Sequence, residues 1–393
     1  MTLDVAALRA ATPGAAHVAH LNNAGSALPS QATLDATIGH LRLEATIGGY
    51  EAADAADDAL RATRTNAARL LGADPSEIAV TTSDTAGFAK ALWGYAFAGG
   101  LPTGSRVLVD RLAYNSHYFA VHQAARRYDL QVEVIPSLPD GTLDLGAFDR
   151  LLDERVFLVS ATHVGTHRGL VNPVAEVGAR CQAAHVHYFL DACQSVGQLP
   201  VDVDAIGCTV LTATGRKWLR GPRGTGLLYV RSGFLNQLDP PGIDSHSATW
   251  QGDGYVLNPD ASRFEEFETS IAGQVGLGVA IGELLELGVD AVSQRITGLA
   301  EGLRHALAER PGVQVLDGGT QRSGIVTFTV ADRSPDEVKQ AATAAGVNVS
   351  VSTAAGALLD MEAEGRVAVV RASPHAYNDD SDLDRLLAVV GAN

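Results

Sequence analysis

The rhythm of apolar and polar positions changes near residue 72. From Pro29 to Gly72, apolar side chains recur at mixed three- and four-residue spacing, which predicts helix with a stop at Gly72. Beyond it the chain breaks into short apolar runs: EIAVTT, RVLVD, QVEVIP, RVFLVSATHV, HYFLDA, CTVLTAT and GTGLLYV. Helical stretches such as FAVHQAARRY and VAEVGARCQAA lie between them. Strand and helix in turn predict an α/β fold, with a large, doubly wound, mostly parallel sheet covered on both faces. A segment rich in proline, glycine, aspartate and serine interrupts this alternation between Asp239 and Tyr255, as a boundary or a loop beside a site would. Then come a helical region over about 272–310 and the strands SGIVTFTV, VNVSVS and VAVVRAS, which predict a smaller C-terminal α/β domain.

Composition narrows the possible functions. With 393 residues, 46% of them hydrophobic and 19% charged, the chain can bury the core of two domains. A net charge of -16 argues against nucleic acid and against an anionic membrane surface as partners, since both call for a basic face. No apolar stretch is long enough for a membrane span, and the N-terminus lacks the pattern of a signal peptide. Cys181, Cys193 and Cys208 form neither a CxxC pair nor a disulfide framework, so a reducing cytoplasm is the expected location.

The chain has only three lysines, Lys90, Lys217 and Lys339, and one of them stands in the glycine-rich stretch LTATGRKWLRGPRGTG. Lysine, unlike arginine, can become a neutral amine and form a Schiff base. One βα unit upstream, a strand ends at Asp191 and Gln194 follows. An acid and a lysine at the ends of successive parallel strands overlook the same sheet edge, where ligands of such folds sit. Pyridoxal 5′-phosphate needs both, the lysine for its aldehyde and the carboxylate to keep its ring nitrogen protonated. Taken singly, Asp191 could cap a helix and Lys217 could lie on the surface.

Six motifs together carry a resemblance that spans nearly the whole chain: LNNAGSALP (21–29), TTSDTAGF (81–88), LDACQSVG (190–197), TGRKWLRGPRGTG (214–226), RFEEFETSIAG (263–273) and VVRASPHAYN (369–378). The sequence resembles the class V aminotransferase and cysteine desulfurase family of fold-type I pyridoxal phosphate enzymes. That resemblance implies a short N-terminal segment (1–20) packed on the small domain, a large cofactor-binding domain (21–262) and a small domain (263–393). It implies Lys217 as the Schiff-base lysine and proton shuttle, Asp191 as partner of the ring nitrogen and Gln194 as donor to the ring oxygen. Tyr114 stands where the family usually has a histidine stacked on the ring. Asp84 and Thr85 fall in the turn that binds the phosphate at a helix start, and Thr214 and Arg216 match further phosphate contacts. Thr269, or Ser270, would reach the phosphate of the second subunit of a homodimer with composite active sites. Arg371 matches the arginine that forks onto the substrate carboxylate. Asn23, in the first motif, and His246, in the Asp239–Tyr255 segment, are further candidates for the substrate pocket, as are Trp250, His375 and Tyr377.

Departures from the family bear on the reaction. His167 stands where relatives often have asparagine near the cofactor, and it could bond cofactor or substrate or cap a turn. Desulfurases carry a loop cysteine ahead of the arginine motif to receive sulfur, yet VNVSVSTAAGALLDMEAEG has none, and no cysteine follows Cys208. Cys193 reads as a small packed residue. The resemblance is nearest to the subset without that cysteine, which includes hercynylcysteine sulfoxide lyase, lincosamide S-conjugate enzymes and isopenicillin N epimerase-like proteins. It implies a carbon–sulfur lyase acting on an S-substituted cysteine, with an epimerase, a decarboxylating enzyme, an aminotransferase or a non-catalytic binding protein as the alternatives.

Overall fold

A computed structural model describes residues 3–391. All seven apolar runs become strands of one sheet: β1 (Ile78–Thr81), β2 (Arg106–Asp110), β3 (Gln131–Ile135), β4 (Val156–Thr162), β5 (His187–Asp191), β6 (Val210–Thr214) and β7 (Gly226–Val230). Their order is β1-β7-β6-β5-β4-β2-β3. Strands β2 to β6 run parallel, and β7 lies antiparallel between β6 and β1. The exception has a geometric cause. A parallel return takes a crossover of a dozen or more residues, usually through a helix, and the loop 215–225 is too short for one.

Alternate strand residues feed two separate cores, as pleating requires. Leu158 and Phe189 pack with Phe88 and Val121 of the helices α4 (Asp84–Phe97) and α5 (Asn115–Tyr128). Their neighbours Val159 and Leu190 pack on the other face with Val177 of α6 (Val174–Ala183). The N-terminal helical region is three helices, α1 (Gln31–Ile47), α2 (Gly49–Ala55) and α3 (Asp57–Leu71), broken at Gly48, where φ is +105°. Gly72 ends α3 in the left-handed region, with its N–H on the Ala68 carbonyl. The later helical region divides at Gly288 into α7 (Ile271–Leu287) and α8 (Val289–Ala308), and Leu277 and Ile281 of α7 belong to the larger core. Within the Asp239–Tyr255 segment the chain forms a hairpin, β8 (Ala248–Gln251) and β9 (Gly254–Leu257), where sequence reading expected loop.

A second sheet, entirely antiparallel, has the order β10-β11-β13-β12, from Val313–Val315, Val326–Val330, Ala368–Ala372 and Ser350–Thr353 respectively. The N-terminal segment is fastened to this part of the chain. Ala19–His20 pairs in parallel with Val347–Asn348, and Arg9 bonds Asp382 at 2.6 Å. Between β12 and β13 lies a short helix, α9 (Leu358–Ala363). Among the described residues no helix is long and apolar enough to cross a membrane.

Candidate active site

The carboxyl ends of β4, β5 and β6 meet in register, with Thr162 opposite Asp191 and Asp191 opposite Thr212. Over this edge lies a cleft of about 700 Å³. Parallel strands aim successive loops at one edge, which is why residues distant in sequence converge here. Lys217, Asp191, Gln194, Tyr114 and Arg371 all line the cleft. So do Asp84, Thr85, Thr214 and Arg216. Nine of the sequence-predicted site residues are thus brought together.

Lys217 leaves β6 in the tight turn before β7. Its Nζ touches Cys193 Sγ at 3.3 Å and stands 6.0 Å from the centre of the Tyr114 ring. Behind it, Gly197 (φ +100°) lets the loop after β5 lie against the backbone of Trp218, where a Cβ would come within 2.5 Å of a carbonyl carbon. Gln194 is fixed at both ends of its amide, accepting from Trp218 Nε1 at 2.9 Å and donating to the Ala24 carbonyl at 3.1 Å.

Three cations face the cleft with no carboxylate at ion-pair distance among the described residues. Arg371 donates to the Thr166 carbonyl at 2.7 Å and to the Thr166 hydroxyl at 3.0 Å, and its buried Nε has no partner. Burial pushes this guanidinium down to about 10. Arg216 donates to the Gly25 carbonyl at 2.5 Å, and the only polar contact of Lys217 Nζ is the thiol of Cys193. Opposite them, the first turn of α4 is capped by Ser83, whose Oγ accepts from Ala86 and whose carbonyl accepts from Gly87. The amides of Asp84 and Thr85 have no acceptor among the described residues, as the first N–H groups of a helix do until a ligand fills the place. Close packing holds this cradle open, because a Cβ on Gly226 would stand 2.6 Å from the Ser83 carbonyl carbon and 2.9 Å from the Asp84 nitrogen. Cations without ion-pair partners, free helix-start amides and the buried acid Asp191 fit a ligand with a phosphate, a cationic ring nitrogen and an aldehyde.

The acidic end of the cleft holds a group that sequence reading missed. Asp84 does more than offer an amide. Its carboxylate is buried between His117 Nε2 at 2.9 Å and the Thr212 hydroxyl at 2.6 Å. Burial opposes its charge, yet His117 and Thr212 prevail and hold it below the usual carboxylate range. Burial, and then the charge of Asp84, push Asp191 up to about 6. His117 follows Tyr114 by three residues, but no spacing relates it to Asp84 or Asp191.

Other expectations are corrected. His167 does not face the cleft. Its Nε2 bonds Asp360 Oδ2 at 2.6 Å, while its neighbour Thr166 lines the site, because the chain bends at these two residues beyond the strand end. Asn23 is likewise turned inward, accepting from Tyr377 Oη at 2.5 Å and donating to the Ser373 carbonyl at 2.7 Å. Asn22 is the neighbour of Arg371, at 3.4 Å. His375 and Tyr377 stack behind the lysine turn, their ring centres 5.3 Å apart. His246 pairs with Glu265 at 3.0 Å, Trp250 is exposed on the hairpin, and Thr269 meets only Gln274, at 3.3 Å; none of the three lines the cleft of its own protomer.

Comparison with known proteins shows the family and the fold. The profile of the family described as aminotransferase class-V matches residues 19–386. A probable hercynylcysteine sulfoxide lyase of Mycobacterium tuberculosis (strain CDC 1551 / Oshkosh) is 34% identical over 383 residues, covering 96% of this chain and 90% of its own. Among solved structures, the apo cysteine desulfurase of Thermococcus onnurineus NA1 superposes with a TM-score of 0.90 at 24% identity, covering 100% of this chain and 98% of that one. The cystine C–S lyase C-DES, solved with its reaction product cysteine persulfide, gives a TM-score of 0.86 at 22% identity over 97% of this chain and 99% of its own.

Proposed function

The chain belongs to the aminotransferase class-V family, and from that membership we propose that it is a pyridoxal 5′-phosphate-dependent carbon–sulfur lyase, which splits an S-substituted cysteine by β-elimination. The cofactor, when bound, takes up the electron pair left at the substrate Cα. The amides of Asp84 and Thr85, with Thr214 and Arg216, hold its phosphate, and Asp191 faces its ring nitrogen. Tyr114 covers the ring and Gln194 donates to the ring oxygen. Arg371 forks onto the substrate carboxylate, its buried Nε supplying a donor that has no partner inside the protein. Lys217 holds the cofactor, then as a free amine removes the Cα proton. The Cβ–S bond breaks with its electron pair going to sulfur, which leaves as a thiol or, from a sulfoxide, as a sulfenate. The three-carbon remainder ends as pyruvate and ammonia. Orientation by Arg371 and a fixed charge at Asp191 are the means by which such a site lowers the barrier.

One observation carries the choice of lyase over desulfurase. The only thiol in the cleft is Cys193, whose burial pushes it up to about 12, so it is not the thiolate that accepting sulfur requires. No other cysteine lies beyond Cys208. The sulfur therefore leaves with its substituent. The sulfoxide lyase at 34% identity supports the same reading. The test is a panel of S-substituted cysteines and their sulfoxides, assayed for pyruvate and for released thiol or sulfenate. At least one should give both in equal amounts, and Lys217→Ala should reduce turnover by on the order of a thousandfold or more. Racemisation or keto-acid formation without sulfur release would replace the lyase with an epimerase or an aminotransferase.

A further inference from the structure

We propose that His117 is a positioning residue which, as an imidazolium set between Asp84 and Asp191, allows both buried carboxylates to be ionised, so that Asp191 keeps the charge it presents to the cofactor. The inference rests on the proposed role of Asp191 as partner of the ring nitrogen.

The geometry is unusually constrained. His117 is buried in the first turn of α5, with Nε2 at 2.9 Å from Asp84 Oδ2 and Nδ1 at 3.7 Å from Asp191 Oδ2. Its ring lies flat on Phe88, centroids 3.9 Å apart and planes 9° from parallel. Phe88 is one helical turn from Asp84 on α4, so the same helix fixes the plane of the ring and supplies its counter-ion. The remaining oxygens are also committed. Asp84 Oδ1 accepts from the Thr212 hydroxyl at 2.6 Å, and Asp191 Oδ1 accepts from the Cys193 amide at 2.9 Å. One atom from each of the three side chains lies within 4.8 Å of the others.

Two carboxylates this close and this buried do not both ionise without a cation between them. One of them would take a proton, and burial with the charge of Asp84 drives Asp191 toward being that one. A protonated Asp191 could not hold a proton on a ring nitrogen facing it. A neutral imidazole offers its single N–H to Asp84 and no charge to Asp191; an imidazolium keeps that bond and sets a positive charge 3.7 Å from Asp191 Oδ2. The trio then carries a net charge of minus one, which matches a single cationic ring nitrogen. The neighbouring groups do not perform this task. The ammonium of Lys217 acts on both carboxylates more weakly than His117 does, the Cys193 thiol stays neutral, and Asp110, beyond Asp191, is an acid held by Asn172 at 3.0 Å.

The test reconstitutes the protein with cofactor labelled with 15N at the ring nitrogen and follows that signal against pH. Wild type should show a protonated ring nitrogen through neutral pH. In His117→Asn its titration should fall by about one unit or more, and cofactor should dissociate roughly tenfold more readily. Removing the second carboxylate as well, in Asp84→Asn/His117→Asn, should move the titration back toward wild type, a rescue that loss of packing alone would not give. A His117→Asn protein with an unmoved ring signal, or a double variant no better than the single one, overturns the proposal. Asp191→Asn separates the two levels. If that variant also leaves the ring nitrogen protonated, the role of Asp191 falls and the role of His117 falls with it; if it loses the proton while His117→Asn keeps it, only His117 is wrong. Histidine-labelled wild-type protein gives a check that needs no variant: both nitrogens of His117 should carry protons at pH 7, and a neutral tautomer there would refute the charge assignment.

Discussion

At the scale of single residues, the chemistry was legible wherever the residue type itself is constrained. Lys217 stood out because two other lysines are all the chain has, Asp191 because it ends a strand, and Arg371 because it sits in a recognisable motif. What the sequence left open was the side of the chain on which a residue falls. His167 and Asn23 each miss the cleft by one position, since Thr166 and Asn22 take the places beside Arg371. Past the end of a strand no apolar alternation reports which parity faces inward. His117 was invisible for another reason, since its partnership with Asp84 and Asp191 is made by two helix starts and a strand end that meet only in the fold. Cys193 supplies the prediction proper to this scale. It is the nearest group to Lys217 Nζ, yet its thiol is buried and pushed up to about 12. Cys193→Ser should therefore bind cofactor and keep turnover within about tenfold of wild type, a difference of at most about 1.4 kcal/mol. Loss of turnover with the cofactor still bound would mean that the thiol takes part and that the sulfur passes through the protein.

Elements were legible by period and misread at their breaks. The seven runs of the large sheet carry β-branched and aliphatic residues between clear stops, and all seven form strands. The helical periodicity of 29–72 does not report the interruption at Gly48, nor does the proline-rich segment announce its hairpin, because a backbone turn needs only one or two residues. Helix α9 shows how an element takes a function that its sequence hides. Asp360, buried on α9, accepts from Arg111 Nε at 2.6 Å, from His167 Nε2 at 2.6 Å and from Arg168 Nη1 at 3.2 Å. Arg111 and His167 each adjoin residues that wall the cleft, Leu112 and Thr166, so α9 ties two lining loops together. Burial opposes the charge of Asp360, but its histidine and arginine partners prevail and hold it at about 2. A depressed carboxyl gives stability that is complete above its unfolded value and is lost as pH falls through the folded one. Asp360 should thus contribute on the order of 2 kcal/mol above about pH 4, disappearing toward pH 2. Asp360→Asn should cost about 3 kcal/mol at neutral pH, because it removes the buried charge shared by Arg111, His167 and Arg168 and leaves Arg168 to Glu364 alone, and should flatten the stability profile between pH 4 and 2. Denaturant melts across that range would show both effects; an unchanged acid limb would remove Asp360 from the account.

The molecule as a whole presents one face that a single chain leaves unfinished. Tyr50 and Phe267 are exposed by 74 and 53%, and their rings stand 6.3 Å apart on segments far separated in sequence. Large rings gathered in this way mark an association surface more often than a solvated one. Thr269 follows Phe267 by two residues and lies outside the cleft of its own protomer. A second copy of the chain seated on this face would cover the rings and bring the segment carrying Thr269 toward the neighbouring cleft, which is the composite arrangement expected from the sequence. Assembly and cofactor binding should then fail together. Phe267→Asp replaces the exposed ring with a charge and should weaken association by on the order of 2 kcal/mol per protomer. Light scattering should report a wild-type dimer and a variant shifted toward monomer, and that monomer should lose cofactor on dilution while keeping its far-ultraviolet spectrum. Because the chain carries a net charge of -16, repulsion between two copies works against the dimer, and added salt should screen it and tighten the wild-type association. A wild-type monomer with full activity would leave the exposed rings to some other partner and make each cleft complete within one chain.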